Sequence, residues 1–232
     1  MKKTMHLLFA AALCLGCMAC EKDAALDETL PATAPESGDD DDSAATTTEG
    51  GKTLIVYYSY TNHTETIVSD LQTQVDADVV EIEPAEKGLN YAANGYAIGS
   101  ALIAAIRANP DDAASYPAID SVDIELEAYG TVIVATPLWW SNMAAPMQTF
   151  LFQYGSQMAG KHIGLIVSSS SSGISGVEAD ARRLIPDGDF LTPSLWIRAA
   201  QTSSCHSLIA AWLEETGYSN LVSSIHQVRM DE

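Results

Sequence analysis

Hydrophobic positions along the chain fall into short continuous runs that alternate with longer stretches in which apolar residues recur every three or four positions. Three runs, Thr53–Tyr58 (TLIVYY), Thr131–Thr136 (TVIVAT) and Ile163–Ser168 (IGLIVS), are rich in Val and Ile and bounded by turn or loop residues. Continuous apolar character of that length is what a parallel strand covered on both faces requires. A fourth run, Asp78–Glu83 (DVVEIE), keeps Glu81 and Glu83 beside its Val and Ile, the mixture of an edge strand. A fifth strand is read over Phe190–Ile197. Between the runs lie helical stripes. Ile67, Val68, Leu71 and Val75 share one face, Ile98, Leu102 and Ile106 a second, in a segment that stops at Asn109-Pro110. Met147, Phe150 and Leu151 serve a third helix, and Val177, Ala181, Leu184 and Ile185 a fourth. The last helix has Ser203 or Ser204 as N-cap, Leu208, Ile209, Trp212 and Leu213 inward, and Gly217 as stop. Alternation of this kind predicts an α/β protein: a doubly wound, five-stranded parallel sheet in three layers, with helices on both faces.

The first 51 residues do not follow this alternation. Lys2 and Lys3 precede an apolar run from Leu7 to Ala19, too short for a bilayer span of about twenty residues but suited to the core of a secretory signal. Cys14, Cys17 and Cys20 imitate an iron–sulfur ligand spacing, yet a cleaved segment holds no cluster in the mature protein. The segment resembles a bacterial lipoprotein signal, in which a Cys after a small residue is acylated. Cys20 follows Ala19 and immediately precedes the polar run, and Cys17, after Gly16, is the alternative. From Glu21 to Gly51 there are ten acids against one Lys, four of them consecutive at Asp39–Asp42. Such a stretch buries too little surface to offset its ordering entropy, and its charges repel one another. The organisation expected is a signal over 1–19, a flexible acidic tether over 20–51 and one domain over 52–232. No twin Arg is present, so export as an unfolded chain is expected, placing the domain outside the cytoplasm on a lipid anchor at Cys20.

Composition removes several functions. The 232 residues carry 11 Lys and Arg against 31 Asp and Glu, a formal charge of −20, whereas nucleic-acid binding needs a basic surface. A hydrophobic fraction of 47% excludes disorder along the whole chain. Cys205 is the lone Cys of the body, and His162 and His226 are isolated, so metal-ligand spacing is absent. Ser, His and Asp are all present, but no G-x-S-x-G elbow follows a strand. Adjacency of Cys205 and His206 does not make a catalytic pair.

In doubly wound sheets, ligands sit beyond the carboxyl ends of the strands. After the first strand comes SYTNHTET, opening directly into a helix, with hydroxyls at Ser59, Thr61 and Thr64. With the free N–H groups of a helix N-terminus, these form an anion cradle without Lys or Arg; ordinary N-capping is the competing reading. After the third strand, Pro137-Leu138-Trp139-Trp140 offers an apolar wall and a stacking face for a planar ring, or else two Trp roofing the domain. After the fourth, Ser168–Ser172 and Gly173 let backbone approach a ligand closely, or form a plain flexible loop.

Taken together, GKTLIVYYSYTNHTET, YGTVIVATPLWWSNMAAPMQTFL and GKHIGLIVSSSSSG resemble the flavodoxin family, specifically flavodoxin-like proteins with a Pro-x-Trp-Trp loop, over about residues 52–217. The resemblance implies strand order 2-1-3-4-5 and FMN as cofactor. It makes Ser59, Thr61, Asn62, His63 and Thr64 the phosphate loop, with Asn62 in place of the usual Gly. Asn tolerates a left-handed backbone better than most residues. It also brings Pro137, Leu138, Trp139 and Trp140 to the isoalloxazine and Ser168, Ser169, Ser170 and Gly173 to a third cofactor loop. Tyr91, Tyr96 and Tyr116 are candidates to cover the ring. The implied function is extracytoplasmic electron transfer with an unidentified redox partner protein, possessing no catalytic side chain and no metal. A flavin-free binding lipoprotein on the same fold and an FMN-dependent quinone or azo reductase are the alternatives.

Overall fold

The computed structural model describes residues 51–170 and 173–221. The expected signal, the tether up to residue 50 with its Cys20, and Ser171, Ser172 and His226 lie outside them. Strands β1 (Lys52–Tyr57), β2 (Asp78–Glu81), β3 (Tyr129–Trp139) and β5 (His162–Ser169) are the four strands expected first, each within two or three residues of its predicted bounds. Pairing is parallel in the order β2-β1-β3-β5, with β6 (Asp189–Phe190) and β7 (Leu195–Arg198) both beside β5. Counted by position, this is the expected five-stranded order.

Each inner strand alternates between two cores, which is why its apolar run is continuous. Leu54, Val56, Val132, Val134, Leu165 and Val167 point to one side, with Met147, Phe150, Val177 and Ala181 from helices α3 (Ala145–Tyr154) and α4 (Ser175–Leu184). Ile55, Ile133, Ala135 and Ile166 point to the other, with Ile67 and Leu71 of α1 (His63–Leu71) and Ile209, Trp212 and Leu213 of α5 (His206–Glu215). Gly164 keeps this second layer close: a Cβ there would stand 3.0 Å from the Trp212 ring.

Three local expectations are corrected. The fifth strand is broken, because His162 faces Asp189 while Ile166 faces Leu195, so the fifth position carries two residues more than β5 between the same pairs. Pro193, without an N–H to donate, lies in the gap. In α2 (Ala93–Ala108) the inward stripe is Gly99, Ile103 and Ile106, with Leu102 half-buried and Ile98 36% exposed. Asn94, Gly95 and Tyr96 are left-handed, so the regular helical phase begins only after them. At α5 the cap is Cys205 without a side-chain bond, since a 3₁₀ turn over Ala199–Ser204 takes up both Ser203 and Ser204. Gly217, at φ 70°, follows the helix end as expected.

Candidate functional site

The segment Tyr58–Asn62 leads from β1 into α1. Asn62 adopts φ 60° and ψ 2°, the left-handed conformation its position demands. With this turn α1 begins at His63, and helix geometry provides its first N–H groups no intrahelical acceptor. Ser59 Oγ accepts from the Glu65 N–H at 3.3 Å, so this hydroxyl acts as a helix cap. Thr64, 1% exposed, shares a 2.9 Å hydrogen bond with Ser168 Oγ and so ties the β1 loop to the end of β5. Ser169 is held in turn by Trp196, whose indole N–H donates to Ser169 Oγ at 2.8 Å. Arg198 lies over that Trp ring.

The sequence after Thr136 behaves differently from the loop expected there. Pro137, Leu138 and Trp139 continue β3, and the chain turns back through Trp140 and Ser141 into β4 (Asn142–Met143), with Leu138 facing Met143 and Trp139 facing Asn142. Trp139 becomes the hub of an aromatic cluster. Its ring centroid lies 5.7 Å from Tyr58, 6.1 Å from Tyr60, 4.9 Å from Tyr91 and 6.2 Å from Trp140. Most of these contacts are edge-to-face, the arrangement ring quadrupoles favour. Trp140 is 40% exposed and meets the 54% exposed Tyr96 at 6.2 Å.

A cleft of about 460 Å³ opens across the ends of β1, β3 and β5. Of the residues predicted for the site, it brings together Thr61, His63, Pro137, Leu138, Trp139, Ser168, Ser169 and Ser170. Trp140 lines an adjoining aromatic cavity of about 270 Å³, with Tyr91, Tyr60 and Tyr96. Ser59 borders a third hollow beside Glu81, Glu83 and Glu86. Asn62, Thr64 and Gly173 line neither the cleft nor the aromatic cavity: the first shapes the turn, the second is buried beneath it, and Gly173 is exposed. Tyr116 does not cover the site. It stacks on Phe152 at 4.3 Å, and its hydroxyl donates to Pro110 and accepts from Arg183. Tyr58 and Tyr60 were missed, although the double Tyr57-Tyr58 at the end of the first apolar run and the Tyr within SYTNHTET were the available signals; Ala199 and Trp196 left none.

Electrostatics separate the two ends. No Lys or Arg lines the cleft, and its polar end is lined by Thr61, His63, Ser168, Ser169 and Ser170. At the other end burial holds the Tyr58 phenol far above the usual tyrosine range, with neighbouring Tyr91 and Tyr60 adding to it. Burial likewise raises Tyr91, assisted by Glu86. Both phenols are neutral at any physiological pH, and the buried Tyr91 hydroxyl has no hydrogen-bond partner among the described residues.

A parallel sheet of this order, with a ligand-sized cleft at its carboxyl edge, defines a flavodoxin-like α/β protein. A model of the flavodoxin family matches residues 52–216, and the chain belongs to that family. Solved structures agree on the fold. A protein from Bacteroides eggerthii designated a flavoprotein is 22% identical, covering 72% of this chain and 99% of that one, with a TM-score of 0.57. Another so designated, from Bacteroides uniformis, is 26% identical over 69% of this chain and 99% of its own, at 0.56. A flavoprotein from Lactobacillus acidophilus, in complex with FMN, is 19% identical over 68% and 99%, at 0.53.

Proposed function

We propose that the protein binds FMN and carries electrons outside the cytoplasm, tethered to a membrane through a lipid on Cys20. The observation that carries the cofactor is the two-ended cleft: neutral donors at the start of α1, and an aromatic wall on β3. Thr61, the first N–H groups of α1 and the Ser169 and Ser170 hydroxyls would hold the phosphate, as uncharged donors do at helix N-termini. Trp139 and Tyr96, with Leu138, would bound the ring, and Trp140, from the adjoining aromatic cavity, would close its outer edge. FMN, when bound, supplies reversible redox chemistry that no side chain here provides. The chain's own part is to orient the ring and exclude water from its buried face, while the formal charge of −20 on the whole chain disfavours added electrons and lowers the potential.

Location rests on the sequence: the charged start and short apolar run, the Cys after Ala19, and the acidic spacer. Among the described residues no helix is long and apolar enough to cross a membrane. A chain exported unfolded would bind its flavin only outside the cytoplasm, away from soluble nicotinamide pools, so a membrane-bound reductase or another extracytoplasmic flavoprotein is the expected donor. A second reading, reduction of a planar organic substrate such as a quinone or azo compound, is favoured by the separate aromatic cavity beside the cleft.

Titrating the full chain with FMN and with riboflavin tests the cofactor site. Binding should give a yellow protein with quenched flavin fluorescence, and riboflavin should bind much more weakly. Equal affinities would reject the phosphate assignment, and a colourless protein indifferent to FMN would leave the flavin-free binding module.

A further inference from the structure

We propose that Arg107 is a positioning residue for the flavin site: it holds the Trp140–Ser141 turn in a left-handed form and thereby fixes where the Trp140 ring stands. The functional part of this rests on the FMN reading above. The turn joins β3 to β4 through two residues, with φ of 46° at Trp140 and 65° at Ser141. Positive φ at both central positions suits the right-handed twist of a hairpin, but it is the habit of Asn and Gly. Trp and Ser adopt it only where surroundings enforce it.

Here the surroundings do. Arg107, from the last turn of α2, donates through Nη2 to the Trp140 carbonyl at 2.6 Å and through Nε to Asn142 Oδ1 at 2.7 Å. Asn142 Nδ2 then donates to Asp180 at 2.9 Å, and the same Asp oxygen accepts the Met143 N–H at 2.9 Å. The Asn142 amide is thus gripped at both ends, by a cation on its oxygen and a buried carboxylate on its nitrogen. Two glycines leave the necessary room. A Cβ at Gly176 would stand 1.9 Å from the Ser141 carbonyl, and one at Gly99 would stand 2.8 Å from Trp140 Cη2. These contacts act on the turn and on the β4 residues that follow it, while Arg107 lines neither cavity. Its influence on a bound ring therefore runs through the turn. The competing account is a bare charge effect, a guanidinium in a strongly acidic protein attracting the reduced flavin.

The two accounts part on three variants of the full chain. Arg107→Ala should weaken FMN and riboflavin by the same factor, about tenfold, because the damage is at the ring end, and should shift the midpoint potential. Gly is at ease with positive φ, so adding Ser141→Gly to Arg107→Ala should restore most of the affinity and the potential without restoring any charge. Arg107→Lys keeps the charge but has a single head for two acceptors, and should remain well below wild type. If Arg107→Lys behaves as wild type while the double variant stays as poor as Arg107→Ala, the positioning role is overturned. A flavin-free measurement keeps the two proposals apart. In thermal unfolding of the apo protein, Ser141→Gly should stabilise the Arg107→Ala background more than the wild-type background. Strict additivity there overturns the brace, whether or not the protein proves to bind FMN.

Discussion

Thr61 and Thr64 lie three positions apart, one just before α1 and the other in its first turn, and do different work. Thr64 is buried against Ser168, whereas Thr61 is exposed at the cleft. Replacing Thr64 by Val leaves the Ser168 hydroxyl buried without that partner, at a cost of about 1–2 kcal/mol. The thermal midpoint should fall by roughly 2–8 °C for a domain of this size. Thr61→Ala should leave the midpoint where it is, weaken FMN by about tenfold through loss of one donor to a dianion, and leave riboflavin unaffected. A drop in riboflavin affinity equal to that in FMN would remove Thr61 from the phosphate. The two Trp divide in the same way. Trp139 packs against four other rings, so Trp139→Ala should destabilise the domain by about 2–4 kcal/mol. Trp140, 40% exposed at the rim, should give a near-normal unfolding curve as Ala but weaker binding of FMN and riboflavin alike and an altered flavin midpoint potential.

Elements place these residues by means that periodicity does not capture. The β3–β4 hairpin exists because two glycines on different helices, Gly99 and Gly176, leave space for its turn. Gly176→Ala forces a methyl into the Ser141 carbonyl, and overpacking of that kind costs about 1–3 kcal/mol. We expect a lower unfolding midpoint together with weaker flavin binding; stability lost with flavin affinity intact would show that the turn and the ring site are independent. Helix α2 carries the same lesson. Its left-handed start at Asn94–Tyr96 brings Tyr96 to the rim beside Trp140 and sets the inward stripe one position later than Ile98 and Leu102 suggest.

Across the whole molecule the phenols of Tyr58, Tyr91 and Tyr218 are all raised, with burial the leading cause in each. In the unfolded chain they titrate near pH 10, and in the folded one later. Above about pH 10 the unfolded state therefore binds fewer protons than the native state, and stability falls as pH rises; below it their contribution is fully present. Urea midpoints measured from pH 8 to 11 should decline at the alkaline end, in step with a delayed rise in tyrosinate absorbance. A flat profile would mean that these phenols ionise alike in both states. At the level of the cell, Cys20→Ala should release the protein into soluble fractions while Cys17→Ala leaves it on the membrane. The reverse pattern would move the lipid to Cys17.

The three-layer parallel fold was legible in the chain because strands covered on both faces must be apolar at every position, as Leu54–Val56 and Val132–Ala135 are. The place of the cleft followed from the same fold, since ligands of doubly wound sheets sit beyond the carboxyl ends of the strands. Asn62 also announced its left-handed turn, because few other residues accept one. What the sequence did not reveal depends on contacts between elements distant along the chain. Thr64 and Thr61 have the same chemistry, and only the approach of Ser168, 104 residues away, buries one of them. Trp140 and Ser141 have no local reason to be left-handed, and Arg107, Asn142 and Asp180 supply that reason from three separate elements. Periodicity reports which face of an element is buried; which side chain meets which is decided only when the layers close.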